Sequence, residues 1–196
     1  KHHLGKVESV SSILTRGFQQ IYKTFFLIST MAEDKCECKS CLDELKKDYK
    51  KIQDKHNLPN FDTLNKEFQI EKVAECETDY LIREVRKFAA EKFSNYLRFI
   101  EFILNPMNAP TFIFSVIKTL GNEDKKKLAE IYKKLAKIEI KILELDVDFD
   151  EEKEAEFLRE SYELWQEIKK ELLDITNVIE KNWNNKFEAN GGGYLG

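Results

Sequence analysis

Residues 122–190 read NEDKKKLAEIYKKLAKIEIKILELDVDFDEEKEAEFLRESYELWQEIKKELLDITNVIEKNWNNKFEAN and contain no Gly and no Pro. Apolar residues recur every three or four positions in this stretch, between Lys and Glu. Gly disfavours the interior of a helix and Pro breaks one, so this pattern predicts long amphipathic helices. A break at residues 146–150 divides the stretch into helices at 123–145 and 151–183. Their alternating three- and four-residue spacing predicts an antiparallel hairpin.

Apolar faces at the same period predict further helices upstream, over residues 38–56, 61–68, 70–104 and 110–120. Asn60 is the predicted cap of the second helix, and Pro106 ends the long one, because a proline disfavours helix in the residue before it. Residues 112–120 are apolar nearly all round, which predicts a helix at the centre of the fold. The sequence therefore predicts an all-α bundle of five or six helices with a long C-terminal antiparallel hairpin.

Composition excludes several classes of protein. The 196 residues are 42% hydrophobic and 35% charged, as in a soluble helix-rich protein. The net charge of −4 provides no global basic field for nucleic acid or for an anionic membrane. The longest uncharged stretch, residues 102–117, is interrupted by two Asn and two Pro, whereas a membrane span needs about 20 apolar residues. We expect no membrane span.

The first thirty residues differ from the rest. Residues 1–30 carry a net charge of +3, against −7 for residues 31–196. Three interpretations fit: a non-native or upstream translated leader before a native start at Met31, a basic Ser-rich transit presequence, or a helix that docks on the bundle. We expect residues 31–190 to form a single helical bundle domain and residues 191–196 a flexible Gly-rich tail.

The cysteines are the most specific local signal. Cys36, Cys38 and Cys41 are closely spaced, as thiolate ligands of tetrahedral zinc are, and Cys76 or His56 could supply a fourth ligand. A complete zinc signature has a second separated pair, and this chain has none. We therefore expect a row of reduced thiols and no cofactor, so that metal analysis under reducing conditions finds well under one zinc per chain. Four cysteines so arranged do not form the framework of a secreted domain, which predicts a cytoplasmic protein.

Histidine is too scarce for most helical enzyme sites. The chain has only His2, His3 and His56. This excludes the Glu-x-x-His pairs of di-iron bundles, metalloprotease helices and most catalytic triads. The only Gly cluster lies at the C-terminus, so no Gly-rich phosphate loop is present.

Two groups of polar residues are candidates for binding. The first is a basic strip along residues 83–98, which could contact a phosphate backbone or an acidic partner, although charged helix faces usually serve solubility. Its members are Arg83, Arg86, Lys87, Lys92 and Arg98.

The second group lies where the long helix turns. Arg98, Glu101 and Asn105 share a helical face, with Asn95 before them and Asn108 after them. Polar residues beside buried aromatics need partners, which predicts an internal hydrogen-bond network or, alternatively, a ligand site.

Several short motifs give the chain a resemblance to known sequences. They are Leu64-Asn65, Leu97-Arg98-Phe99-Ile100-Glu101, Leu104-Asn105-Pro106-x-Asn108-Ala109-Pro110 and Gly193-Tyr194-Leu195-Gly196. With these motifs, residues 36–196 resemble small uncharacterised archaeal all-helical proteins. The resemblance leaves the leader outside, which favours Met31 as the native start, and it implies no function.

These observations lead to three hypotheses about function. The first is a non-enzymatic, intracellular interaction or scaffold protein that uses exposed helix faces to bind a protein partner or to self-associate. The alternative is a nucleic-acid- or ribosome-associated factor that uses the basic strip between Arg83 and Arg98. An enzyme comes third, because it would need an open pocket lined by Arg98, Glu101 and Asn105.

Overall fold

The structure is a computed structural model that describes residues 39–75 and 78–189, with the backbone alone for residues 39–40 and 186–189. The predicted leader and the Gly-rich tail lie outside the described residues. Within these ranges the chain forms six α-helices and two 3-10 turns, at Ile70–Glu75 and Pro106–Asn108, and no strand. The predicted all-α class is confirmed. The helices are α1 (Lys39–His56), α2 (Phe61–Phe68), α3 (Leu81–Leu104), α4 (Thr111–Ile117), α5 (Asn122–Val147) and α6 (Glu151–Ala189).

Local sequence signals account for the connection between α1 and α2. Asn57, directly after α1, has a φ of 52°, in the left-handed region that Asn tolerates better than most residues. Asn60 then caps α2, because its side-chain oxygen accepts a hydrogen bond of 2.8 Å from the backbone N–H of Thr63. The predicted cap and the predicted apolar face of α2 are both confirmed, since Phe61, Leu64 and Phe68 are buried.

The predicted long helix over residues 70–104 is wrong in its first third. Ile70–Glu75 forms a 3-10 turn, and α3 begins only at Leu81. The polar residues of 75–79 continue no apolar row that would hold an α-helix against the core. Ile70 and Val73 are buried in the 3-10 turn, which packs against α1.

The core is one cluster of buried apolar side chains that includes members from all six helices. Helix α5 makes its most extensive contact with α3 and a smaller one with α6. Ion pairs join α5 to α6 in opposite order along the two helices, with Lys134 at Glu167 and Glu171 and Lys141 at Glu160. The two helices therefore run antiparallel where they touch. No described helix is long and apolar enough to cross a membrane.

Helix α4 does not lie at the centre of the fold, so that prediction is wrong. It ends at Ile117 after only two turns and packs mainly on α3. Ile113 and Val116 are buried, whereas Phe114 on the opposite side is exposed. Apolar residues on every side of a short helix thus do not require complete burial, because folded proteins leave part of their apolar surface in water.

Candidate functional site

Arg86 is not part of a surface strip. Only 1% of its side chain is exposed, and its Nη2 lies 2.6 Å from Oδ1 of Asp146 at the end of α5. Its Nε lies 2.8 Å from Oε2 of Glu154, which is 0% exposed in the first turns of α6. Burial raises the pKa of the Glu154 carboxyl, and the charge of Arg86 opposes this effect. Arg86 joins three helices by a buried ion pair, and it cannot reach a phosphate backbone.

Three other members of the predicted strip, Arg83, Lys87 and Arg98, are half-buried or exposed. Arg83 donates to the backbone oxygen of Asp146 at 3.3 Å, and its guanidinium lies 5.9 Å from the Phe149 ring centre. Lys87 is exposed and paired with Glu84 at 2.8 Å. Arg98 is exposed further along α3. The predicted basic strip is therefore not continuous, because Arg86 is buried in an ion pair and Lys92 lies on the other side of α3 from Arg83, Lys87 and Arg98.

Lys92, the other member of the strip, belongs to a half-buried polar cluster. Its Nζ donates to the backbone oxygen of Glu67 and lies 3.9 Å from the centre of a Trp165 ring. The Glu67 carboxylate accepts 2.6 Å from Trp165 Nε1 and 2.8 Å from Lys169 Nζ. Burial lowers the pKa of Lys92 to about 8, against the opposing charge of Glu67. These contacts join α2 and α3 to α6, and no pattern in the sequence predicted them.

We expect Lys92 to titrate near pH 8, well below the ordinary lysine value of 10.5. A folded-state pKa below the unfolded value means that the unfolded chain binds more protons, so this group makes stability rise with pH from about 8 to 10.5. NMR titration of isotopically methylated lysines measures the shift, and Lys92→Met identifies the signal. Glu67→Gln lowers the pKa further, because it removes the carboxylate that favours the ammonium. A titration in which every lysine follows the ordinary value contradicts the expectation.

The predicted polar row at the end of α3 lies on the surface. Arg98, Glu101, Asn105 and Asn108 are exposed, and Asn95 is half-buried. The predicted internal network is therefore wrong, since exposed side chains are satisfied by water. The row borders a small group of exposed apolar residues, of which Met107 is the most open. The groove between α5 and α6 that is described below is lined by none of them.

The candidate metal ligands are only partly within the described residues. Cys36, Cys38 and Cys76 lie outside them, and Cys41 is half-buried in the first turn of α1. His56 is buried, with Nε2 at 3.0 Å from Glu151 and Nδ1 at 3.3 Å from Glu152. Both ring nitrogens of His56 therefore face carboxylates at the start of α6. Among the described residues no group of three or more His, Cys, Asp and Glu could hold a metal ion.

An exposed apolar row runs along the outer side of α5. Ile140 and Leu143 are each 60% exposed, and Val147 is 89% exposed. Their spacing of three and four is that of a coiled-coil seam, so the three side chains form one continuous ridge. The core of α5 is made by a different row, which includes Leu135, Ile138, Ile142 and Leu145. Helix α5 thus has two apolar rows, and only one is covered by the fold.

An open groove lies between this row and the first turns of α6. Its volume is about 690 Å³, and its lining includes Ile140, Leu143, Val147 and the buried Phe157. The exposed acids Glu144 and Asp148 lie along the groove. An apolar ridge beside a groove with charged edges is the geometry that receives an amphipathic helix. We define Ile140, Leu143, Val147 and this groove as the outer face of α5.

Sequence reasoning missed the outer face although the signal was present. Ile140, Leu143 and Val147 interrupt the Lys and Glu residues on the side of α5 that the core row leaves to solvent. A surface helix needs one apolar stripe, so a second stripe at the same spacing indicates a second contact.

Comparison of the chain with protein-family models, with curated proteins and with solved structures finds no match. The geometry of the described residues is therefore the basis for a functional proposal.

Proposed function

We propose that this protein is a non-enzymatic, intracellular interaction protein that binds a protein helix on the outer face of α5. The observation that carries the proposal is the exposure of Ile140, Leu143 and Val147 in one coiled-coil-like row. Removing apolar surface from water contributes about 25 cal/mol per Å², so three large side chains left in water make a favourable contact for a partner. Burial of Arg86 in an ion pair removes one cation from the strip on which the nucleic-acid alternative depends.

The structure of the rest of the molecule supports a rigid presentation of this face. On the opposite side of α5, Leu135, Ile138 and Ile142 are buried in the core. Lys134 and Lys141 hold α5 to α6 by ion pairs on one flank, and Ser94 donates to Glu139 at 2.7 Å on the other. A partner would therefore meet a helix whose position is already determined, which lowers the entropic cost of binding.

Site-specific photo-crosslinking in cells tests the proposal. A photoreactive residue at Leu143 is expected to give one or a few discrete adducts that mass spectrometry identifies reproducibly. The matched control is Leu173 on α6, which is 55% exposed and is not part of the row or the groove. The same adducts from both positions, or none from Leu143, would overturn the proposed function.

A further inference from the structure

The charges on the outer face of α5 are arranged so that the face is complementary to itself. Lys133 and Lys137 precede Ile140, whereas Glu144 and Asp148 follow it. Residues 133, 137, 140, 144 and 147 lie within a narrow sector of the helix, because steps of three and four residues return to one side. The N-terminal half of this sector thus carries Lys133 and Lys137 and the C-terminal half carries Glu144, with Ile140 at the boundary, and Asp148 follows directly after the helix.

We propose that the occupant of the outer face is a second copy of this chain, bound antiparallel about a two-fold axis at Ile140. This inference rests on the proposed function and names the partner. In this arrangement Ile140 packs on Ile140 of the other copy, and Lys137 of each copy meets Glu144 of the other. Lys133 lies opposite Asp148, and its aliphatic stem covers Val147. A two-fold interface uses the same patch on both copies, so each favourable pair occurs twice.

The charges also select the orientation. A parallel dimer would place Lys137 beside Lys137 and Glu144 beside Glu144, so that like charges meet at both ends of the apolar row. The antiparallel dimer replaces both repulsions by attractions.

The side chains that this pairing uses are available. Lys137 and Glu144 are exposed, and neither makes an ion pair with another described residue. Lys133 pairs with Glu130 within α5, but both side chains are about two-thirds exposed, at 67% and 63%. Such a surface pair contributes little to stability, so Lys133 can exchange it for a pair with the second copy.

Sedimentation equilibrium of the purified full chain over a wide range of concentrations tests the inference. We expect the mass to rise from the 23.1 kDa of one chain towards twice that value. Because each copy contributes only a short row of three apolar residues, we expect a weak dimer that dissociates on dilution. Ile140→Asp is expected to abolish the dimer, whereas Leu173→Asp leaves the dissociation constant unchanged.

Charge reversal then tests the antiparallel register. Lys137→Glu and Glu144→Lys, each alone, place like charges together twice and are expected to raise the dissociation constant about tenfold or more. The double variant carries both reversals and is expected to return to within about threefold of the original value. In a parallel dimer each single reversal would still leave like charges facing like charges, so the dissociation constant would not change. Single variants whose dissociation constant equals that of the original chain therefore overturn the antiparallel pairing. Circular dichroism of each variant verifies that the helices are intact.

The outcomes separate this inference from the function on which it rests. A strict monomer at every concentration, together with discrete Leu143 adducts to a different protein, overturns the self-association and leaves the proposed function in place. A monomer that also gives no specific Leu143 adduct overturns both. Dimer formation that Ile140→Asp does not affect places the contact elsewhere and overturns the inference.

Discussion

Replacement of Arg86 by alanine is expected to lower the free energy of unfolding by about 3–5 kcal/mol, because it leaves a buried carboxylate without its partner. Glu154 is fully buried, and Arg86 Nε is 2.8 Å from its Oε2. Asp146 is half-exposed, so solvent can compensate for its loss of the same guanidinium. The buried acid therefore accounts for most of the effect. Urea unfolding followed by circular dichroism measures it.

The double variant Arg86→Met, Glu154→Leu is the matched control. Apolar residues of similar volume often replace a buried ion pair without loss, so we expect the double variant to recover most of the stability. A single Arg86→Ala variant as stable as the original chain would contradict the assignment of a buried pair.

The loss in Arg86→Ala is also expected to depend on pH. Burial raises the pKa of Glu154 above its ordinary value of 4.5, so the folded state holds this proton more tightly than the unfolded state does. The contribution of such a group is full below the ordinary pKa and is lost as pH rises through the folded value. Removal of Arg86 takes away the positive charge that opposes this increase, so the pKa of Glu154 rises further. The destabilisation should therefore be larger near pH 8 than near pH 5, and the double variant should not show this difference.

Replacement of Trp165 by alanine is the second change with a large expected effect. The Trp165 ring lies 5.4 Å from the ring of Tyr96 and 6.1 Å from that of Phe93, measured between centroids. Its Nε1 also donates to Glu67 at 2.6 Å. Deletion of a buried aromatic side chain removes this packing and leaves a cavity, which lowers the free energy of unfolding by about 3–5 kcal/mol. Thermal or urea unfolding measures the loss.

Two variants separate packing from hydrogen bonding at this site. Trp165→Phe keeps most of the aromatic contact and removes the donor to Glu67, so we expect a loss of about 1.5–3 kcal/mol. Trp183→Ala removes the only other tryptophan, which is half-buried against Phe112, and should cost less than Trp165→Ala. Equal losses for the two tryptophans would contradict the central position of Trp165.

The cysteine cluster, the leader and the cytoplasmic location stay predictions. Cys36, Cys38 and Cys76 lie outside the described residues, so the metal analysis proposed above decides whether they hold zinc. Residues 1–30 are likewise outside, and the three interpretations of this segment stand as they were.

Helical periodicity and caps were readable from local sequence alone. Asn60 and its bond to Thr63, the end of α1 before Asn57, and the stop of α3 before Pro106 all depend on residues within one turn of each other. Local backbone preferences determine such features, and they act in the same way whatever the rest of the chain does. The predicted helix is wrong over residues 70–80 because the prediction extended one apolar row across the polar residues of 75–79.

The tertiary structure alone decided which side of each helix meets another helix. Arg86 lies on the same face of α3 as the buried Ile82 and Phe93. Its charge alone predicts a surface position, and only its contacts with Asp146 and Glu154 account for its burial. Ile140 and Leu143 belong to no predicted core row, and only the fold shows that their side chains lie in water. A period of 3.6 residues states which side chains share a face, whereas burial depends on helices distant in sequence that cover that face.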